Sequence, residues 1–235
     1  MQAHGDRERH VLDLWERGVG LDRWQREDAL LAAETPMPRR LGARNIALLR
    51  LRNAHFHGAW PMLSTCPACG GVVEFAVDCV SLAADLAEAS AQEAVTFEWN
   101  GEQIVARPPT VDDLRAVARA GEPDAVARAL LMRCVNGDIA LAEADPHAID
   151  VLGSHLEALD PAATVVFELT CPDCAHRWPA LIDIAEALWK ELRNRAEKIL
   201  LEVDALASAY GWSEEQVLAL SPVRRAAYLQ LAGTS

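Results

Sequence analysis

The sequence predicts an α+β protein, mostly helical, in which a small sheet built on two cysteine pairs is split by a long acidic insertion. Three observations predict it. Cys66-Pro67-Ala68-Cys69-Gly70 and Cys171-Pro172-Asp173-Cys174-Ala175-His176 repeat one Cys-Pro-x-Cys turn. β-rich runs flank both turns, Val72 to Val77 after the first and Thr164 to Leu169 before the second. Almost everything else recurs at helical spacing.

Residues 1–60 form an N-terminal helical segment. Val11, Leu12, Leu14 and Trp15 mark a first helix, broken at Gly18 and Gly20. Leu21, Trp24, Leu30 and Leu31 mark a second, ending before Pro36 and Pro38. Gly42 to Phe56 is a third, and it carries Arg44, Arg50 and Arg52. These arginines read as a solvated face, with a basic docking face for an acidic partner as the sharper alternative.

Residues 61–182 hold the paired cysteines, with an insertion over about 82–160. The insertion opens with a helix from Leu82 to Ala91. Val95 to Trp99 and Gln103 to Ala106 then flank Asn100-Gly101, a favoured type I′ hairpin turn. Thr110 caps a helix from Val111 to Ala120, with Asp113 at the reciprocal position. Pro123 to Val135 and Ala148 to Leu159 are two more helices, and His176 to Leu181 returns as a strand after the second turn. From Cys69 to Cys174, acids outnumber Lys and Arg by 19 to 5, which makes this stretch the acidic pole. Residues 183–235 are helical: a long run from Asp183 to Tyr210 stopped at Gly211, a capping box at Ser213 to Gln216, and a last helix opened by Ser221-Pro222.

The chemistry lies in the cysteines. Two Cys-x-x-Cys turns supply the four sulfurs that tetrahedral Zn²⁺ takes. The predicted metal ligands are Cys66, Cys69, Cys171 and Cys174, holding a structural zinc in a split zinc ribbon. A strand after one knuckle and a strand leading into the other is how such a ribbon is built. Disulfides would need an oxidising compartment. The charged stretch Met1 to Arg9 has no apolar core of a signal peptide, and no run approaches a membrane span, so a cytoplasmic protein is expected. His176 offers a substitute ligand, though a place beside the site or on the surface is the preferred reading. Cys79 and Cys134 read as small buried hydrophobes.

A closed site of four thiolates has no open position for water or substrate, so no catalytic residue is assigned. His155-Leu156-Glu157 ahead of Cys171 superficially suits a zinc deaminase, but Thr170 stands where proline belongs and Cys66 and Cys69 would be left without a role. No P-loop, His-Glu-x-x-His, Gly-x-Ser-x-Gly or dinucleotide fingerprint occurs. The net charge of −13 argues against a partner bound through phosphates. A helix-turn-helix reader at the C-terminus would present only Arg224 and Arg225, beside Glu214 and Glu215.

In order along the chain stand Leu41-Gly42-Ala43-Arg44-Asn45 with Leu48-Leu49-Arg50-Leu51-Arg52, then the two cysteine turns, the second continuing as His176-Arg177-Trp178. Leu206-Ala207-Ser208-Ala209-Tyr210-Gly211-Trp212-Ser213-Glu214 follows, and then Leu220-Ser221-Pro222-x-Arg224-Arg225-x-x-Tyr228-Leu229. This succession resembles proteins encoded in gene clusters of phage-like contractile injection systems, related to the T4-type baseplate hub assembly chaperones and hub components. The resemblance implies a non-enzymatic assembly factor for the baseplate hub or the tape-measure protein, with incorporation into the finished particle left open. T4-type members lack the cysteine pairs, so the resemblance places the zinc in the injection-system branch. Tyr210, Trp212, Arg224, Arg225 and Tyr228 are the residues expected to contact the partner, since Trp, Tyr and Arg dominate binding hot spots. Against this, Tyr210 and Trp212 would simply staple the C-terminal helices together. A zinc-ribbon regulator acting on transcription or nucleic acid is the alternative, and it predicts a basic face near the knuckles where only Arg177 stands.

Overall fold

The computed structural model describes residues 2–90, 92–99, 102–118, 121–136 and 146–233. It begins with α1 (Gln2–Gly18), α2 (Arg23–Leu30) and α3 (Leu41–His55), followed by β1 (Trp60–Thr65), β2 (Val72–Val77) and α4 (Cys79–Ala89). The insertion continues with β3 (Val95–Trp99), β4 (Glu102–Ala106), α5 (Val111–Val117), α6 (Pro123–Cys134), β5 (Val135–Asn136) and α7 (Pro146–Leu159). A 3-10 turn at Pro161–Ala163 leads to β6 (Val165–Thr170) and β7 (Arg177–Ile182), and α8 (Ile184–Tyr210), α9 (Glu214–Leu218) and α10 (Pro222–Gly233) close the chain. The fold is mixed, predominantly helical, with small antiparallel sheets. No helix among the described residues is long and apolar enough to cross a membrane.

The chain divides into two compact units that do not follow the three consecutive segments expected. Residues 1–33, 54–56 and 185–235 form one, and 34–53 with 57–184 form the other. The N-terminal and C-terminal helices share a unit because each has an apolar stripe to cover. On α8 that stripe is Leu188, Leu192, Ala196, Ile199 and Leu206, all buried, and Val11, Leu12, Leu30, Leu31, Val217 and Leu218 are buried in the same unit. Asp22 caps α2 through a reciprocal box with Gln25, and Ser213 caps α9 with Gln216.

Among the described residues the second unit holds three small sheets. β1 pairs with β2 from Trp60↔Val77 to Thr65↔Val72, and β6 pairs with β7 from Val165↔Ile182 to Thr170↔Arg177. The strand β1 is absent from the sequence reading because Pro61 interrupts its pattern and Trp60 and Met62 are its only buried residues. β3 and β4 form the expected hairpin, with Trp99 opposite Glu102; the turn residues Asn100 and Gly101 lie outside the described residues. β5, read in part as the end of the preceding helix, adds a short third strand. Behind this sheet Ile104, Ala106, Leu131, Val135, Leu152 and Leu156 make one core. Helix α4 starts earlier than expected, because Asp78 accepts hydrogen bonds from the N–H groups of Val80 and Ser81.

The arginines of α3 correct a further expectation. Arg44 and Arg52 are 1% and 2% exposed, not a solvated face. Arg44 donates to the Pro38 carbonyl at 3.1 Å, and Arg52 donates to the Gly58 carbonyl at 2.6 Å while its guanidinium lies over the Trp60 ring. Only Arg50 remains exposed.

Candidate metal centre

Each cysteine turn forms the tip of a hairpin, and the two tips share one backbone design. In the first, the Cys66 N–H donates to the Gly71 carbonyl at 2.8 Å and the Gly70 N–H to the Cys66 carbonyl at 2.9 Å. In the second, the Cys171 N–H donates to the His176 carbonyl at 2.9 Å and the Ala175 N–H to the Cys171 carbonyl at 3.0 Å. The residue after the second cysteine is left-handed in both, with φ of 76° at Gly70 and 58° at Ala175. Gly adopts this freely, whereas Ala does so at a cost. The same register continues outward: Asp78 and Asp183 fall equally far after Cys66 and Cys171, each directly ahead of a helix. This internal repeat of strand, turn, strand, Asp and helix is visible in the sequence once the turns are superposed, and it would have revealed β1.

The two tips bring all four sulfurs together, within 4.8 Å of one another. Cys66 and Cys174 approach to 3.7 Å, and Cys69 and Cys171 to 3.6 Å. Four bonds of about 2.3 Å at tetrahedral angles put sulfurs about 3.8 Å apart, so the donor set and its spacing suit a four-thiolate metal site. The four cysteines could hold a metal ion, and all six cysteines of the chain are free of disulfides. Cys66 and Cys171 are buried, packed with Leu169, Trp178 and Ala180, while Cys69 and Cys174 are exposed. Phe75 and Phe167, from the two hairpins, meet with ring centroids 5.5 Å apart behind the cluster.

Without a cation the thiols oppose one another. Burial works against the Cys66 thiolate, but the backbone N–H groups of Cys69 and Ala68 outweigh it and bring its pKa down to about 7. The Gly71 N–H favours the Cys69 thiolate, yet Cys174, Cys171 and Cys66 together push that pKa up to about 12. A bound divalent cation would relieve this opposition, because it favours every thiolate at once.

The remaining candidates fall elsewhere. His176 supplies its backbone carbonyl to the turn and stacks on Trp178 at 6.2 Å. His155 stacks on Phe97 at 4.4 Å. Cys79 and Cys134 are buried, and burial pushes the Cys134 thiol up to about 11. Tyr210, Trp212 and Tyr228 do come together: Tyr210 stacks on Trp212 at 4.7 Å, Trp212 meets Tyr228 edge-on at 4.8 Å, and the Tyr210 hydroxyl donates to the Tyr228 carbonyl. Tyr210 is 38% exposed, and Arg224 is exposed. Arg225 is not on that surface. It is 2% exposed, donating to Glu8 at 2.5 Å and to Glu202 at 3.1 Å, and Glu8 also accepts from Arg195 at 2.6 Å.

No family model matches the chain, and neither a curated protein nor a solved structure is significantly similar to it.

Proposed function

We propose that this chain is a zinc-stabilised, non-enzymatic assembly factor or component of the baseplate hub of a phage-tail-like contractile particle. The observation that supports the metal half is the convergence of four sulfurs from two matched hairpin tips. Cys66, Cys69, Cys171 and Cys174 would hold Zn²⁺ as a split zinc ribbon, its halves separated in sequence by the acidic insertion. Bound there, zinc supplies folding energy and no open coordination position. The chain's own residues do the rest: the tip N–H groups orient the thiolates, and Leu169, Trp178 and the paired phenylalanines exclude water from the inner side.

The assembly half rests on the resemblance of the sequence blocks and on the aromatic cluster of Tyr210, Trp212 and Tyr228 with Arg224 beside it. Its partner would be a hub or tape-measure protein, met in the cytoplasm. Metal analysis of purified protein tests the first half: about one zinc per chain with sulfur-only coordination by X-ray absorption is expected, and metal-free protein unmoved by chelator would remove it. Co-expression with the proteins of the same gene cluster tests the second. Trp212→Ala combined with Arg224→Ala should fold and lose hub or tape-measure capture; unchanged capture would reject the docking role.

A further inference from the structure

A groove of about 960 Å³ lies between α5, α6 and α7 of the insertion, with Leu41 of α3 and Val166 of β6 also lining it. Leu114, Leu130, Leu131, Ile149 and Leu156 line it. Leu114, Leu130 and Ile149 are only half-buried, so the described residues do not finish covering this apolar wall. The charged residues lining it are Asp150, Glu157 and Asp160, with no Lys or Arg among the described residues. Asp160 is 1% exposed, and its Oδ2 accepts from the Gly42 N–H at 2.9 Å. Its Oδ1 accepts no hydrogen bond among the described residues, with Arg40 Nη2 standing 4.0 Å away.

A second observation is independent of charge. Gly153 lies in the interior of α7, on the same stripe as Ile149, Leu156 and Asp160. Glycine weakens a helix interior relative to alanine. Nothing among the described residues uses the missing side chain: a Cβ at Gly153 would meet none of their atoms within 4 Å, and its φ is not left-handed. The gap lies in the groove, where a second backbone could come close.

We propose that this groove docks an amphipathic helix of a partner protein, its apolar stripe flanked by Lys or Arg and its backbone passing over Gly153. Helix-in-groove docking uses apolar anchors at i, i+3, i+4 and i+7. The carboxylates select basic flanks and reject acidic ones. The excess of 19 acids over 5 bases from Cys69 to Cys174 extends that attraction beyond the rim. The inference does not depend on zinc or on the tail assignment.

The test is a display library of helical peptides about four turns long, one face randomised over Leu, Ala, Lys, Arg and Glu. It is selected on the full chain and counter-selected on Gly153→Leu. That variant fills empty space and raises helix propensity, so its circular dichroism and melting should match or exceed the parent's. Enriched peptides should carry the apolar stripe with Lys or Arg flanks and bind Gly153→Leu about tenfold more weakly or worse, equivalent to about 1.4 kcal/mol or more. Asp150→Asn with Glu157→Gln should remove most of the salt dependence. No enrichment, equal binding to both proteins, or acid-rich winners would overturn the proposal. A parent that dimerises while Gly153→Leu stays monomeric would assign the groove to a second copy and overturn it equally.

Discussion

The four cysteines of one unit, two of them buried and two exposed, and the Glu8 cluster of the other both gather ionisable groups at one point, and they end in opposite states. Around Glu8 the signs cancel: one carboxylate accepts from Arg195 and Arg225, and Arg225 donates onward to Glu202. The hairpin tips instead collect four groups that can only become negative. A buried ion pair is completed by the chain that makes it, at the cost of desolvation. Even so, Arg225 Nε is buried without a hydrogen bond among the described residues. A cluster of like groups can be completed from outside, by a cation. The sign of a cluster therefore separates a site that closes on itself from one that could hold a metal ion.

The largest expected effect breaks the cysteine side. Cys171→Ser removes one of the two buried sulfurs, and structural zinc binding is worth about 10–16 kcal/mol in small zinc domains at neutral pH. The variant should lose metal and melt far below the parent, or fail to accumulate as soluble protein, while chelator lowers the parent to the same level. Calorimetry with and without chelator reads this; two superimposable parent traces would contradict it.

Breaking the Glu8 side should cost less and involve no metal. Glu8→Ala leaves Arg225 buried with Glu202 alone and removes the partner of Arg195, a change worth about 3–5 kcal/mol for a broken buried pair. Denaturant unfolding should show the loss unchanged by chelator. Deleting the chain after Leu206 would therefore not isolate the docking role. It would strip Arg225 from Glu8 and uncover α8 as well as remove the aromatic cluster.

Asp113 sharpens the comparison at an intermediate size, because its cations are half exposed. Its carboxylate accepts from Arg107 at 2.7 and 3.0 Å, from Arg133 at 3.1 Å and from Thr110. Burial works against its charge, but Arg107 and Thr110 hold its pKa well below the usual carboxylate range. A depressed folded pKa contributes stability above the unfolded value of about 4, and that stability is lost as pH falls towards the folded one. Asp113→Asn should cost about 1.5–3 kcal/mol at neutral pH. The gap to the parent should narrow below about pH 4. Urea unfolding at neutral and acid pH measures both, and a pH-independent gap would assign the loss to packing instead.

Local signals were legible in the sequence where one residue type fixes one geometry. The cysteine turns, the caps at Thr110 and Ser213, and the helix stop at Gly211 all lie where the residues place them. Long-range pairing was not. Arg44, Arg52 and Arg225 look like surface residues until Pro38, Gly58 and Glu8 supply their partners. Glu8 carries the faint signal, lying one turn before the buried Val11 and Leu12 on a single face of α1. The division into units also escaped, since two helical ends that share a core leave no mark in either segment alone.

The smallest expected effect probes how much of the cysteine site is backbone. Gly70 and Ala175 hold the same left-handed position, but only Ala175 has a side chain to strain it. Ala175→Gly should stabilise by about 0.5–1 kcal/mol, the left-handed penalty of about 1–2 kcal/mol reduced by the greater chain entropy of glycine. Its dependence on metal is the informative part. If the N–H groups of the turn shape the tip by themselves, the gain survives chelation. If the metal pulls Ala175 into place, the gain appears only in metal-loaded protein, because without metal the turn would relax away from φ 58°. The matching turn hydrogen bonds at 2.9 and 3.0 Å favour the first outcome. A preformed tip presents its thiolates before the cation arrives, so less of the binding energy is spent on ordering the loop. Melting of parent and variant, each with and without chelator, decides it; a variant no more stable than the parent in either condition would mean that Ala175 is not strained at all.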